Sequence, residues 1–221
     1  FIQRKNFACS AKYSLMMEPL SQLEMHLPKA ALQPVADILA RYTVDVSIKN
    51  SRKTKHGDYQ HRLDGTDKIT LNKTDNPYRF LITLIHELAH LVAFKKFGFA
   101  IKPHGKEWKD TYTLLMLPFL KPEIFPDPIL RALAKHMKNP KASTDRDFKL
   151  VMLLKAHDKS PVKTYIFELP EGAIFKIYNG KEFIKGSKKR TRYECLERAT
   201  NRRYMISPHA EVALVDRTEE N

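Results

Sequence analysis

Two cysteines in 221 residues, Cys9 and Cys195, are too few and too far apart to build a disulfide framework or a cysteine zinc ribbon. Such scarcity fits a reducing compartment, and any metal must be held by histidine, aspartate or glutamate. Long hydrophobic runs are missing too. No stretch approaches the roughly 18 consecutive apolar residues of a membrane span, and the opening FIQRKNFACSAKYSLMMEPL lacks the continuous apolar core of a signal peptide. The expectation is a soluble, cytoplasmic protein without a membrane partner. Acidic charge is the third shortage: 25 Asp and Glu face 39 Lys and Arg, a net of +14. That balance attracts polyanions, without choosing among DNA, RNA and an anionic membrane face. Hydrophobic content of 43% is ordinary and suffices for one core plus a small second module.

Residues 1–19 are expected to be an extension or disordered, because Met16 and Met17 stand just ahead of the first patterned segment. From Leu20 to Tyr42 apolar residues recur at helical spacing, with a helix expected from about Pro34 to Arg41. Val44, Val46 and Ile48 then alternate with polar residues as in a half-buried strand. Turn residues around Gly57 and at Asp64–Gly65 separate two further strands, so a small antiparallel sheet is expected.

The segment TDNPYRFLITLIHELAHLVAFKKFG predicts a helix over 77–97. Asp75 or Asn76 can cap it, Pro77 suits its first turn and Gly98 is placed to end it. Its apolar residues cover most of its circumference, as in a buried central helix. Further helices are expected through KEWKDTYTLLML and DPILRALAKHMK. Residues 141–148 read as a linker, and 149–215 as a β-rich module of short strands separated by turn residues.

His86 and His90 lie one helical turn apart, so both imidazoles project from one face and can bind one ion. Glu87 sits beside that face. A catalytic zinc takes three protein ligands and keeps a fourth position for water, whose proton an adjacent carboxylate can accept. The third ligand is not given by the pentapeptide. A histidine six residues after His90 would mark the compact metzincin pattern, but Lys96 stands there. His104, past the break at Gly98, is the favoured candidate, with Glu107 and Glu123 as rivals. Histidines 56, 61, 136, 157 and 209 lack suitable spacing and read as surface or structural.

HELAH followed by PHGKEWK, preceded by SRKTKHGDYQH and KITLN, resembles the SprT-like metalloprotease family over roughly residues 20–140. The resemblance implies an α+β fold of minimal zincin type, with one zinc held by His86, His90 and His104, Glu87 as the catalytic glutamate, and Trp108 as a packing aromatic. It also implies a protein substrate at or crosslinked to DNA. The family follows this domain with a small zinc ribbon; here only Cys195 remains, so a ribbon-like β module without metal is expected.

Between Lys176 and Tyr204 ten basic residues face three acidic ones, a net of +7 and half the chain's excess charge. Lys188, Lys189, Arg190 and Arg192 are the candidate contacts for sequence-independent DNA binding. Tyr178, Phe183, Tyr193 and Tyr204 interleave with the charges and read first as the module's core, second as stacking platforms. Two other functions fit the same residues: an intracellular zinc peptidase with a dedicated substrate and no need of DNA, and a nucleic-acid-binding protein without catalysis. An intact Glu87 argues against the latter, since a structural zinc needs no base.

Overall fold

A computed structural model describes residues 21–50, 52, 55–159, 164–208 and 210–215. The expected N-terminal extension and His209 lie outside these residues. The chain divides into two compact units, one ending at Lys159 and one beginning at Ser160.

In the first unit, a 3-10 turn at Lys29–Ala31 leads into α1 (Leu32–Leu39), which buries Val35 and Ile38. Strands β1 (Asp45–Lys49), β2 (Gly57–His61) and β3 (Asp67–Asn72) follow. Helix α2 (Pro77–Phe97) matches the expected span. Its start is fixed by Asn76, whose side-chain oxygen accepts from the N–H groups of Tyr78 at 3.1 Å and Arg79 at 3.0 Å. Its end falls at Gly98, with φ of 70°, a left-handed value that glycine adopts without strain. Helix α3 (Lys106–Met116) buries Trp108, Thr111, Tyr112 and Met116, and α4 (Asp127–Met137) buries Ile129, Ala132, Leu133, His136 and Met137.

The sheet departs from the expected antiparallel arrangement. Its order is β1-β3-β2, with β1 parallel to β3 and β2 antiparallel to β3. The reason lies in the connections. The seven residues between β1 and β2 are more than a tight hairpin uses, and β3 pairs between the two strands. The turn at Arg62–Thr66 then returns β3 between the two earlier strands. Strand β2 is therefore an edge strand, and its residues remain only partly buried.

The domain boundary also differs from the expected one. Residues 141–148 hold a 3-10 turn at Thr144–Arg146, and FKLVMLLK is not the start of the β module but helix α5 (Phe148–Lys155). Asp147 caps it, accepting from the N–H of Leu150 at 3.2 Å. Leu150 and Leu154 enter the same core as Leu84, Leu88 and Trp108. The Asn76 side-chain amide donates to the carbonyl of Leu154 and to Asp158 Oδ1, both at 2.7 Å, which ties the end of α5 to the start of α2.

The second unit holds β4 (Thr164–Tyr165), β5 (Ile174–Lys176), β6 (Glu182–Lys189), β7 (Arg192–Glu197), β8 (Arg203–Ile206) and β9 (Glu211–Leu214). All its pairings are antiparallel, in the order β4-β9-β5-β6-β7-β8, a sheet wider than a ribbon of two hairpins. Alternation along the strands places Phe175, Phe183 and Cys195 on a shared buried face with Ile166 and Leu169. No described helix is long and apolar enough to cross a membrane.

Candidate metal centre

Helix α2 places His86 and His90 on one face, and the chain turns at Gly98 to bring His104 against them. His104 takes φ of 58°, a left-handed backbone that is uncommon for a residue with a Cβ and recurs where structure is held for a function. The three Nε2 atoms converge. His86 and His90 are 3.3 Å apart, His90 and His104 3.1 Å, and His86 and His104 3.2 Å. Among the described residues this is the one cluster of three potential ligands able to hold a metal ion, and neither Glu107 nor Glu123 joins it.

Trp108 is fully buried and forms the wall behind the cluster. Its ring lies 4.7 Å from His86, 5.2 Å from His90 and 4.6 Å from His104, and it packs on Tyr112 at 5.0 Å. This apolar backing governs the imidazoles. Burial, then the charges that His90 and His104 would carry, pushes His86 down to about 2. Burial, then His104, pushes His90 down to about 4. Burial, then the nearby Arg146 charge, lowers His104. All three are neutral near pH 7, the protonation state that metal binding requires.

Glu87 is buried and next to the cluster. Burial pushes its carboxyl up to about 8, with Asp58 adding to the effect; Arg52, Lys55 and a backbone hydrogen bond from Tyr59 oppose it. The edge strand comes this close because residue 57 is glycine. A Cβ there would sit 2.6 Å from Glu87 Oε1 and 2.8 Å from Thr83 Cγ2.

The strand-to-helix contact is fixed by a network that helical spacing alone does not show. Asp67, 2% exposed, accepts from the Tyr59 hydroxyl at 2.8 Å, contacts His61 Nδ1 at 2.8 Å and pairs with Lys95 of α2 at 2.6 Å. Burial works to raise the Asp67 pKa, but the bonds from Lys95, His61 and Tyr59 outweigh it and hold the carboxylate below its ordinary value. Tyr59 lies parallel to the His90 ring at 6.5 Å, so the network reaches His90 and Glu87 through one residue. The remaining described histidines have other partners: His26 stacks on Phe80 at 5.0 Å, His56 meets Asp145 at 3.0 Å, His136 meets Asp147 at 3.0 Å, and His157 packs edge-on against Tyr78 at 5.0 Å.

In the second unit much of the positive charge is already neutralised. Lys176 and Arg198 pair with Glu182, Lys181 with Glu197 and Arg203 with Glu194. Lys185 is buried, donating to the Leu169 carbonyl at 2.5 Å with its ammonium 4.1 Å from the Tyr193 ring. Lys188, Lys189, Arg190 and Arg192 gather at the tip of the β6–β7 hairpin, where Arg192 donates to the Met205 carbonyl. Of the interleaved aromatics, Phe183 is core, Tyr193 packs against it, and Tyr178 and Tyr204 are exposed.

A helix-borne pair of histidines and a third histidine from the following loop, with a buried glutamate between the pair, form a cluster able to hold a metal ion. Comparison with known proteins covers the same segment. Residues 27–119 match the model of the SprT-like family. The protein named Protein SprT from Actinobacillus succinogenes is 45% identical over 49 residues, covering 20% of this chain and 28% of that protein. Over that segment the chain is similar to the SprT-like family. The match spans less than a third of the relative's length, and no solved structure matches the chain.

Proposed function

We propose that the protein is a zinc-dependent endopeptidase of minimal zincin type, acting on proteins associated with or crosslinked to DNA. The observation that carries the reading is the convergence of the Nε2 atoms of His86, His90 and His104 to within 3.1–3.3 Å beside a buried Glu87. A tetrahedral zinc at about 2.0–2.1 Å from each nitrogen would set those nitrogens about 3.3 Å apart, so the donor set fits the ion. Without an ion, tautomer choice cannot satisfy all three contacts, because each Nε2 is either a donor or an acceptor and at least two of the three are then alike. When bound, zinc supplies Lewis acidity toward a carbonyl oxygen and lowers the pKa of water toward about 7.

Glu87 accepts a proton from the attacking water as the new oxygen–carbon bond forms. It then delivers that proton to the amide nitrogen as the carbon–nitrogen bond breaks, so one carboxyl and one amine result. Burial raises the Glu87 carboxyl in the metal-free protein, and a bound cation beside it would favour the carboxylate that takes up the proton. Trp108 excludes water behind the ligands, and Tyr59 holds the edge strand over Glu87.

The DNA association rests on the family resemblance together with the net charge of +14 and the cations at the β6–β7 tip. Zinc content and casein cleavage, measured with and without single-stranded DNA, test the whole reading. The expected result is one zinc per chain and cleavage stimulated by DNA. Cleavage indifferent to DNA favours the peptidase with a dedicated substrate, and DNA binding with zinc-loaded but inert protein favours the non-catalytic alternative.

A further inference from the structure

We propose that Phe97 and Phe99, with Lys96 and Lys102, form a binding strip for single-stranded DNA on the first unit, beside the metal centre. The inference deepens the DNA-associated reading and rests on it.

Between Leu91 and Lys106 the chain has four lysines and no acidic residue. Lys95 is engaged by Asp67 and Lys106 by Asp110. Lys96 and Lys102 are exposed and have no carboxylate partner among the described residues. Lys96 holds its ammonium 5.0 Å from the Phe97 ring, a position that orders the cation without neutralising it.

The aromatics of the same segment lie at the surface. Phe99 is 86% exposed and Phe97 38%. Phe99 is not adrift: it meets Phe94 edge-on at 4.9 Å and His61 at 6.0 Å. Phe94 in turn contacts His61 at 4.4 Å and Tyr59 at 6.2 Å, and Tyr59 lies parallel to His90. A ladder of rings thus runs from a metal ligand along the edge strand to an exposed phenyl group supported from behind. Exposed rings on a supported base, alternating with free cations, are what unpaired bases and their phosphates require. Lysine-rich surroundings without acidic groups suit a polyanion better than an apolar peptide, which would gain nothing from the charges. The exposed side chains of the strip carry no acceptor with which to select a ribose hydroxyl.

The test is the affinity of the full chain for fluorescent oligothymidylate, read by anisotropy. All proteins carry Glu87→Gln, so the outcome does not depend on hydrolysis. Phe97→Ala with Phe99→Ala should weaken binding by about 5- to 150-fold, the range for loss of one base–ring stack, while blunt duplex binding changes little. Phe97→Tyr with Phe99→Tyr keeps the rings and should keep the affinity, which separates lost stacking from damaged folding. Lys96→Glu with Lys102→Glu should also weaken binding at least tenfold. Unchanged oligothymidylate affinity in the alanine pair overturns the proposal. So does an equal loss on duplex, or tighter binding of oligouridylate than oligothymidylate. A DNA affinity that holds while the KM for a peptide rises several-fold in the chain with Glu87 intact assigns the strip to peptide instead. None of these failures touches the peptidase reading, which casein cleavage tests separately.

Discussion

Replacing Glu87 by glutamine keeps the side chain's volume and removes one buried charge, so its effect on stability can be worked from the site. The carboxyl is 6% exposed and is pushed up from 4.5 to about 8 in the folded, metal-free protein. A folded value above the unfolded one means that the folded chain holds the proton longer. The associated stability is complete below about pH 4.5 and is lost as the pH climbs to about 8. At 1.36 kcal/mol per pKa unit, the loss between pH 5 and 8.5 is on the order of 4 kcal/mol. His86 and His90 act in the opposite sense. Their folded values are lowered, so the stability they add is complete above about pH 6.5 and falls as acid is added. That contribution is shared by wild type and variant and cancels in their difference. Urea unfolding in the presence of a chelator, followed by emission of Trp108, the single tryptophan, reports on this unit. The gap between Glu87→Gln and wild type should widen in favour of the variant by roughly 3–4 kcal/mol from pH 5 to pH 8.5. It should shrink with saturating zinc, because a neighbouring cation favours the carboxylate. Parallel pH dependences in the chelated proteins would refute the burial argument.

His104→Ala should lower zinc from one equivalent to well below it by elemental analysis, because two imidazoles remain of three; full retention would remove His104 from the ligand set. Gly57→Ala should leave zinc in place but cut hydrolysis and stability, by about 1–3 kcal/mol for the latter, since its Cβ would sit 2.6 Å from Glu87 Oε1. Asp67→Asn removes a buried partner of Lys95 and should cost about 2–4 kcal/mol in urea unfolding, with a drop in turnover as Tyr59 loses its anchor. Alanine at Lys188, Lys189, Arg190 and Arg192 should flatten the slope of log duplex-DNA affinity against log salt by at most about 4 units, and an unchanged slope would mark this tip as a solvated face.

Helix α2 was legible to the residue because everything that defines it is local: the Asn76 cap, Pro77 at the first turn, an apolar circumference and Gly98 at the end. His86, Glu87 and His90 followed from helical spacing. His104 needed the resemblance as well, since its approach depends on a left-handed backbone that spacing does not reveal. The direction of β1 was not legible, because alternation along a strand says which face is buried and nothing about its neighbour's direction. Helix α5 was missed for a related reason. FKLVMLLK is a short apolar run, ambiguous between strand and helix by periodicity, and its assignment to the first unit comes from Asn76 hydrogen bonds across 78 and 82 residues. Asp67 and Gly57 gave no signal of their own: a lone aspartate opening a strand and a glycine in a turn-like stretch have commoner explanations than clamping an edge strand to the helix that carries His86, Glu87 and His90.

The central claim, that the His86–His90–His104 centre and Glu87 hydrolyse peptide bonds, is tested most directly by mass spectrometry of casein fragments formed in ¹⁸O-labelled water by zinc-loaded protein. The account predicts one labelled oxygen in each new carboxyl terminus with the wild type, and no fragments with Glu87→Gln carrying the same zinc. Fragments at the wild-type rate from Glu87→Gln, or none from zinc-loaded wild type with or without single-stranded DNA, would contradict it.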